Sequence, residues 1–174
     1  MWYKQKDGMG TTPLGWAAKN GHEEVVELLL GRDDIDPNKP GEGGHTPLML
    51  AVCYGRESVV KMLLGRDDID PDKPDEDGRT PLSLAAQYAH EEEVEILLRR
   101  DDVDPDKPDI RGRTPLWWAV ESWNKRVVIM LLETEDVNPD KPDCSGLTPF
   151  WLAASSGRKE IAKIIFEWKS THIY

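Results

Sequence analysis

The dipeptide Thr-Pro occurs five times in this chain of 174 residues, at Thr12, Thr46, Thr80, Thr114 and Thr148. The spacing is 34 residues each time, without an insertion or a deletion. All 13 prolines fall on three phases of this period, which chance placement would not produce. A fixed period of this length predicts a repeat array, in which each unit buries its apolar side against its neighbours.

Each period contains two short apolar segments that predict two helices. The Thr hydroxyl can cap a first helix that begins at Pro, as in PLSLAAQYA from Pro81 to Ala89. The second segment, such as HEEVVELLL from His22 to Leu30, carries acids in its first turn, where the helix dipole favours them. Glycines between the two segments can adopt the left-handed conformation that ends a helix; they are Gly21, Gly55 and Gly157. The predicted unit is a helical hairpin.

An acidic segment with prolines links consecutive hairpins, as in RDDIDPDKPDEDGRTPL from Arg66 to Leu82. A lone apolar residue recurs in the four linking copies, at Ile35, Ile69, Val103 and Val137. We expect this side chain to point inward, while the prolines limit the freedom of the unfolded loop. The segment is therefore predicted to be a rigid projecting turn and not a disordered linker.

These residues give the chain a resemblance to ankyrin-repeat proteins over essentially its whole length. The matching text is GRTPLSLAAQYAHEEEVEILL, with HTPLMLAVCYG and TTPLGWAAKNGHEEVVELLL as sister copies. The resemblance implies an all-α solenoid of helix-turn-helix units with projecting β-turn or hairpin loops. It implies one domain over residues 1–174, with repeats at about 7–40, 41–74, 75–108, 109–142 and 143–174. It also implies a protein-binding array without catalytic residues.

The sequence departs from the ankyrin pattern in three ways. The period is one residue longer than the family norm of 33, which implies a longer turn. The histidine usual after Thr-Pro-Leu is replaced in every copy, by Gly15, Met49, Ser83, Trp117 and Trp151. Trp123 stands where other copies have Gly or Ala, so we expect a distorted turn between the helices of the fourth repeat. Trp16 and Trp118 replace leucines and are predicted to be core residues.

Composition excludes several classes of partner. The formal net charge of −11 argues against nucleic acid and against an anionic membrane surface. No window approaches the roughly 18 apolar residues of a membrane span, and the first ten residues lack the apolar core of a secretory signal. We therefore expect a cytoplasmic monomer in which Cys53 and Cys144 are free thiols.

Exposed positions that differ among the copies are the candidates for a partner-binding site. By resemblance, these turn and first-helix positions line one concave face. The predicted partner-binding residues are His45, Tyr54, Asp77, Arg79, Gln87, Tyr88, Ile110, Arg111, Arg113, Trp117 and Glu121.

Three of these predictions have a plainer alternative. Tyr54 and Tyr88 occupy the same phase of adjacent repeats, and they are either anchors for a partner or surface tyrosines that shield a helix end. Ile110 contacts either a partner or the next turn. Trp117 and Trp151 either fill the seam between repeats or contact a partner.

Pairs of acids recur before each apolar loop residue, at Asp33/Asp34, Asp67/Asp68, Asp101/Asp102 and Glu135/Asp136. Calcium loops gather several oxygens from one short segment with a glycine at the bend, which is not the pattern here. Arg32, Arg66 and Arg100 precede three of the pairs, so a solvated, salt-bridged ridge is predicted and no metal. Four histidines, two cysteines and no phosphate loop predict neither an enzyme nor a cofactor.

The sequence thus predicts a protein–protein interaction module that binds a protein or a peptide. The alternative is a structural spacer or regulatory array within a longer protein. The pattern RDDxDPDKPD…GRTPL is similar to ankyrin arrays of large filamentous-fungal proteins, which often carry a nucleotide-binding switch of the NACHT class. The first repeat starts in the middle of a loop phase, which favours a segment of a longer protein.

Overall fold

The computed structural model describes residues 10–172, and over that range the chain forms ten α-helices and no strand. The molecule divides into two compact units at the Pro81–Leu82 bond. The helices are α1 (Pro13–Asn20), α2 (Glu23–Leu30), α3 (Pro47–Cys53), α4 (Glu57–Leu64), α5 (Pro81–Tyr88), α6 (Glu91–Leu98), α7 (Pro115–Glu121), α8 (Lys125–Leu132), α9 (Pro149–Ser155) and α10 (Lys159–Thr171). A short 3₁₀ segment, Glu42–Gly44, lies between α2 and α3.

Each unit contains successive helical hairpins that pack on one another. In the first unit α1 packs on α2 and α3, α3 packs on α4, and α2 packs on α4. In the second unit α7 packs on α8 and α9, α9 on α10, and α8 on both α6 and α10. The alanine four residues after each Pro is fully or almost fully buried in every copy: Ala17, Ala51, Ala85, Ala119 and Ala153. Its small side chain allows the helices to approach closely, as the sequence predicted.

The first helix of a hairpin begins at the Thr-Pro pair for a local reason. The hydroxyl of Thr12 accepts a hydrogen bond from the backbone N–H of Gly15 at 3.0 Å, and Pro at the first helical position has no N–H to satisfy. The same cap forms at Thr46, Thr114 and Thr148. The predicted capping is confirmed in these copies.

The turn between the two helices uses the left-handed backbone region. Gly21, Gly55 and Gly157 have φ values of 71°, 60° and 72°, as predicted. Trp123 has a φ of 61°, and its N–H donates to the Val120 carbonyl at 3.2 Å, the bond that Gly21 makes in the first repeat. The prediction of a distorted fourth turn is therefore wrong. The hydrogen bonds of the repeat hold Trp123 in a conformation that costs an L-residue energy.

The prediction that Trp16 is a core residue is also wrong, because its side chain is 49% exposed. Trp118, at the same phase of the fourth repeat, is 6% exposed and is a core residue as predicted. The guanidinium group of Arg113 lies 4.0 Å from the Trp118 ring centroid, and Trp117 packs against its edge. The corresponding positions of the first repeat hold Thr11 and Gly15, which are too small to cover Trp16.

The linking segments are ordered by an inward side chain and by local ion pairs. Ile69, Val103 and Val137 are buried, which confirms the predicted anchor, whereas Ile35 is half-buried. Arg66 pairs with Asp68 at 2.7 Å, and equivalent pairs join Arg32 to Asp34 and Arg100 to Asp102. The predicted salt-bridged ridge is present. No helix in the described part of the chain is long and apolar enough to cross a bilayer.

Candidate partner-binding surface

An aspartate closes the projecting turn of each later repeat. The Oδ1 atom of Asp109 accepts hydrogen bonds from the backbone N–H groups of Arg111 and Arg113, both at 2.9 Å. The N–H of Asp109 donates to the Arg113 carbonyl at 3.0 Å. Asp75 and Asp143 make the same bonds in their own turns. The residues between these closing bonds are held at the tip of a rigid hairpin-like turn.

Neighbouring tips within each unit are joined through the backbone. The N–H of Glu76 donates to the Gly43 carbonyl at 3.0 Å in the first unit. The N–H of Cys144 donates to the Arg111 carbonyl at 2.8 Å in the second. Because the tips are fixed before any partner arrives, a contact made there costs little ordering entropy.

Three of the predicted partner-binding residues of the first unit converge on Asp75, whose carboxylate is fully buried. Arg79 Nη2 lies 2.9 Å from Asp75 Oδ2, and His45 Nε2 lies 3.6 Å from the same oxygen. Arg79 also pairs with Asp77 at 3.2 Å, and the Asp77 side chain is 61% exposed. The structure therefore gives Arg79 a second task, which is to neutralise a buried carboxylate.

Tyr54 directly follows the last residue of α3, Cys53, and the two side chains have different environments. Tyr54 is 47% exposed, and the Nζ atom of Lys19 lies 4.9 Å from its ring centroid. Burial raises the pKa of the Cys53 thiol to about 11, with smaller contributions from Arg79, which opposes the rise, and Asp75, which adds to it. The Cys53 thiol is therefore protonated at neutral pH and is a poor nucleophile.

The tip of the third turn, in the second unit, contains two exposed residues and one arginine that is held by an ion pair. Ile110 is 69% exposed, and Arg111 beside it is exposed as well. The Arg113 side chain is 16% exposed and pairs with Asp109 at 2.8 Å. Its guanidinium group also lies over Trp118. Ile110 and Arg111 are thus the tip residues that a partner can reach directly.

The first helices of the second unit present the remaining predicted residues. Tyr88 is 51% exposed, whereas Gln87 and Trp117 are half-buried. Trp117 meets Trp118 edge to face, with 5.1 Å between ring centroids. Glu121 is exposed and accepts a hydrogen bond from Arg158 Nη2 at 3.0 Å. Trp117 therefore combines seam packing with a partly open face.

Sequence reasoning did not select Trp123 or Arg158 as site residues. Trp123 is 59% exposed, and the Arg158 guanidinium group lies beneath its ring. The signal was present, because a large aromatic stood where other copies have Gly or Ala. Trp151 is also 51% exposed, although seam packing was one of its two predicted roles.

A family model described as ankyrin repeats (three copies) matches residues 2–75, 38–109, 67–143 and 102–173. These overlapping matches cover nearly the whole chain. The chain belongs to the ankyrin repeat family. The predicted family and the predicted all-α repeat fold are confirmed. No curated protein matches the sequence.

Membership of the ankyrin repeat family indicates a general type of function. Ankyrin repeats are generally protein–protein interaction modules and are typically non-enzymatic. Within residues 10–172 of this ankyrin repeat protein, no three His, Cys, Asp or Glu side chains lie together in a group that could hold a metal ion. The ridge acids instead have arginine partners: the hydrogen bonds from Arg66 and Arg100 lower the pKa of Asp68 and of Asp102.

Proposed function

We propose that this ankyrin repeat chain binds a protein or an extended peptide through its turn tips and the adjoining first helices. The observation that carries the proposal is the pair Ile110 and Arg111. An aliphatic side chain that is 69% exposed lies beside an exposed guanidinium group on a tip that backbone hydrogen bonds fix. Arginine is enriched at interface hot spots, and an exposed aliphatic residue gains free energy when a partner covers it.

Each of the two units adds one exposed tyrosine to the proposed contacts. Tyr54 and Tyr88 each end a first helix and leave about half of their surface open to solvent. Tyrosine combines a large apolar ring with a polar end and has few rotatable bonds, so it contributes contact area at a low entropic cost. Electrostatics adds selectivity, since the net charge of −11 disfavours acidic partners except where cations are concentrated.

The test is photo-crosslinking from Cys144, which is exposed and adjoins Arg111 in the row of tips. A benzophenone maleimide on this thiol labels proteins bound at the tip, and mass spectrometry identifies them. The identified partner is then titrated against the double variant Ile110→Asp/Arg111→Glu. We expect the affinity to fall at least about tenfold, as it does when hot-spot residues are removed.

The matched control is Ile129→Asp on α8, another exposed aliphatic residue, which belongs to a second helix. It should bind the partner like the wild type. The variant Tyr54→Ala/Tyr88→Ala tests the tyrosines separately in the same titration. Unchanged binding by the tip variant would overturn the proposal, and the absence of any captured protein would favour the spacer alternative.

A further inference from the structure

One inter-helix turn of the second unit departs from two patterns that the first three repeats follow. The residue in the left-handed turn is Gly or Ala in four copies and Trp123 in the fourth. Two residues later, the first turn of the second helix begins with Glu in repeats one to three, at Glu23, Glu57 and Glu91. In repeats four and five the same phase holds Lys125 and Lys159.

Both exceptions oppose the stability of the fold. A tryptophan with a φ of 61° lies in a backbone region that glycine occupies at no steric cost. A lysine in the first helical turn is placed at the positive end of the helix dipole, and the first turn of α8 contains no acid to offset it. Local rules that fail together at one place indicate a functional site more often than independent accidents.

The exceptions meet in a groove of about 420 Å³ that is lined by Trp123, Lys125, Gly157, Arg158, Lys159, Glu160 and Ile161. Lys125 and Glu160 form an ion pair across it. The lining carries more cations than acids, in a chain whose net charge is −11. Trp123 and Ile161 supply an apolar wall beside these cations.

Arg158 places in the lining of this groove hydrogen-bond donors that lack an acceptor within residues 10–172. Its side chain is 10% exposed, and Nη2 donates to Glu121 at 3.0 Å. Its Nε and Nη1 atoms are buried and have no hydrogen-bond acceptor among the residues that the structure describes. Buried donors on a charged group are normally satisfied, because leaving them without an acceptor is costly.

The first unit contains a groove formed by the equivalent positions of repeats one and two, and it shows which residues the fold needs at these positions. It has a volume of about 300 Å³, and its lining includes Gly21, Glu23, Arg56 and Glu57. Arg56, at the phase of Arg158, donates its Nε–H to the Lys19 carbonyl at 3.1 Å. The turn of the first unit therefore forms without a tryptophan and without lysines at these phases. The packing of the repeat does not require Trp123, Lys125 and Lys159 in the second groove.

We propose that the groove between repeats four and five binds an acidic segment of a partner protein. A carboxylate of that segment accepts from one of the two Arg158 donors, Nε or Nη1, and pairs with Lys125 and Lys159, while a neighbouring apolar side chain packs on Trp123. A free phosphate could satisfy the cations but would leave the exposed indole of Trp123 uncovered, so the lining favours a peptide. This site lies at the opposite end of α7 from the Ile110 tip and does not depend on the function proposed for that tip.

The probe is the peptide acetyl-Glu-Glu-Phe-Glu-Glu-amide, titrated into the full ¹⁵N-labelled chain at low salt. Its glutamine analogue and inorganic phosphate are titrated in parallel. The test variant is Trp123→Gly/Lys125→Glu/Lys159→Glu, which gives positions 123, 125 and 159 the residues that the chain already carries at these phases in its first two repeats, Gly21, Glu23 and Glu57, and is therefore expected to fold. The control is Lys39→Glu/Lys73→Glu, which changes the net charge by the same amount in the loops of the first unit.

We expect the acidic peptide to shift the amide signals of residues 123–125 and 157–161. Its affinity should fall at least about tenfold in the test variant, the loss that one charge-assisted hydrogen bond produces, and should change less than about twofold in the control. The proposal is overturned if the glutamine peptide binds equally well or if the control variant loses as much affinity. It is also overturned if phosphate shifts these signals and the peptide does not.

Discussion

The indole ring of Trp123 lies over the guanidinium group of Arg158, with 5.1 Å between the ring centroid and Cζ. Trp123 belongs to the turn of the fourth repeat and Arg158 to the turn of the fifth, so the contact joins two units of the array. A cation over an aromatic face contributes between about 0.5 kcal/mol at an exposed site and about 2 kcal/mol when it is desolvated, and the Arg158 side chain is largely buried. That gain is of the same order as the cost of the left-handed backbone at Trp123, about 1–2 kcal/mol.

Replacing Trp123 by two small residues separates these contributions. Trp123→Gly and Trp123→Ala both remove the ring, but only glycine relieves the backbone at a φ of 61°. We expect the glycine variant to have a free energy of unfolding about 1 kcal/mol higher than the alanine variant. Urea denaturation followed by circular dichroism measures the difference.

The control is the same pair of substitutions at Trp151, an exposed tryptophan inside helix α9. There the order should reverse, with glycine about 1 kcal/mol less stable than alanine, because glycine disfavours the helix interior. Equal stabilities of the two variants at position 123 would show that this turn carries no backbone strain.

The two cysteines should differ sharply in reactivity with iodoacetamide. Cys144 is exposed at a turn tip, whereas burial raises the pKa of the Cys53 thiol to about 11. At pH 8 only about one Cys53 thiol in a thousand is ionised, and the thiolate is the reactive form. We expect a single fast alkylation in the folded protein, which the variant Cys144→Ser abolishes.

Unfolding in urea provides the control for this experiment, because both thiols then have ordinary pKa values and should react at similar rates. Fast alkylation of Cys53 in the folded chain would contradict the buried environment of that thiol. The same selectivity makes Cys144 a suitable point of attachment for the crosslinker proposed above.

Two aspartates of the third repeat, Asp102 and Asp106, have pKa values that are shifted in opposite directions from that of an ordinary carboxyl group. The hydrogen bond from Arg100 lowers the pKa of Asp102, so this group adds stability above its unfolded pKa and loses it as the pH falls through the folded pKa. Burial raises the pKa of Asp106, and the ion pair with Lys141 opposes that rise. Asp106 therefore costs stability as the pH rises through its raised pKa.

Carbon-13 NMR titration of the carboxyl groups tests both directions. Arg100→Met should raise the pKa of Asp102 towards its ordinary value, because the largest cause of its depression is removed. Lys141→Met should raise the pKa of Asp106 further, because burial then acts without its main opposition. A fall in the pKa of Asp106 in the Lys141 variant would refute the assignment.

The sequence predicted the parts of the fold that depend on neighbouring residues. The Thr-Pro caps and the glycine turns are local, so a single copy of the motif suffices to place them. Trp123 was misjudged because its residue type argues against a left-handed turn, whereas the hydrogen bonds of the whole hairpin impose one. Trp16 was misjudged because burial of that phase depends on the residues at positions 11 and 15 of the same repeat.

The candidate site could be predicted only in outline. Variation among copies identified the turn positions, but it did not show that Arg79 and Arg113 are held by carboxylates of their own turns. The sequence could not show that two Arg158 donors lack an acceptor in the described part of the chain. Glu121, 37 residues away, accepts a hydrogen bond from Nη2, and no described residue accepts one from Nε or Nη1. Side-chain exposure and pairing are properties of the assembled repeats and not of one copy.

The contribution of the Arg113–Asp109 ion pair to stability can be measured by comparing Asp109 with Asp143, whose turn has no such arginine. Asp109 and Asp143 accept the same two backbone hydrogen bonds, but position 113 holds an arginine and position 147 a leucine. Asp143→Ala should lower the free energy of unfolding by about 1–2 kcal/mol, the cost of losing those bonds. Asp109→Ala should cost about 3 kcal/mol or more, because it also leaves the largely buried Arg113 without its carboxylate.

Urea denaturation of the two alanine variants gives the comparison, and Arg113→Leu in the wild-type and the Asp109→Ala backgrounds completes a double-mutant cycle. In the Asp109→Ala background, Arg113→Leu should recover part of the lost stability, because it removes the unpaired charge and reproduces the leucine of the fifth repeat. A larger loss for Asp143→Ala than for Asp109→Ala would show that the ion pair adds nothing. Arg113 would then be free to meet a partner, as the sequence alone predicted.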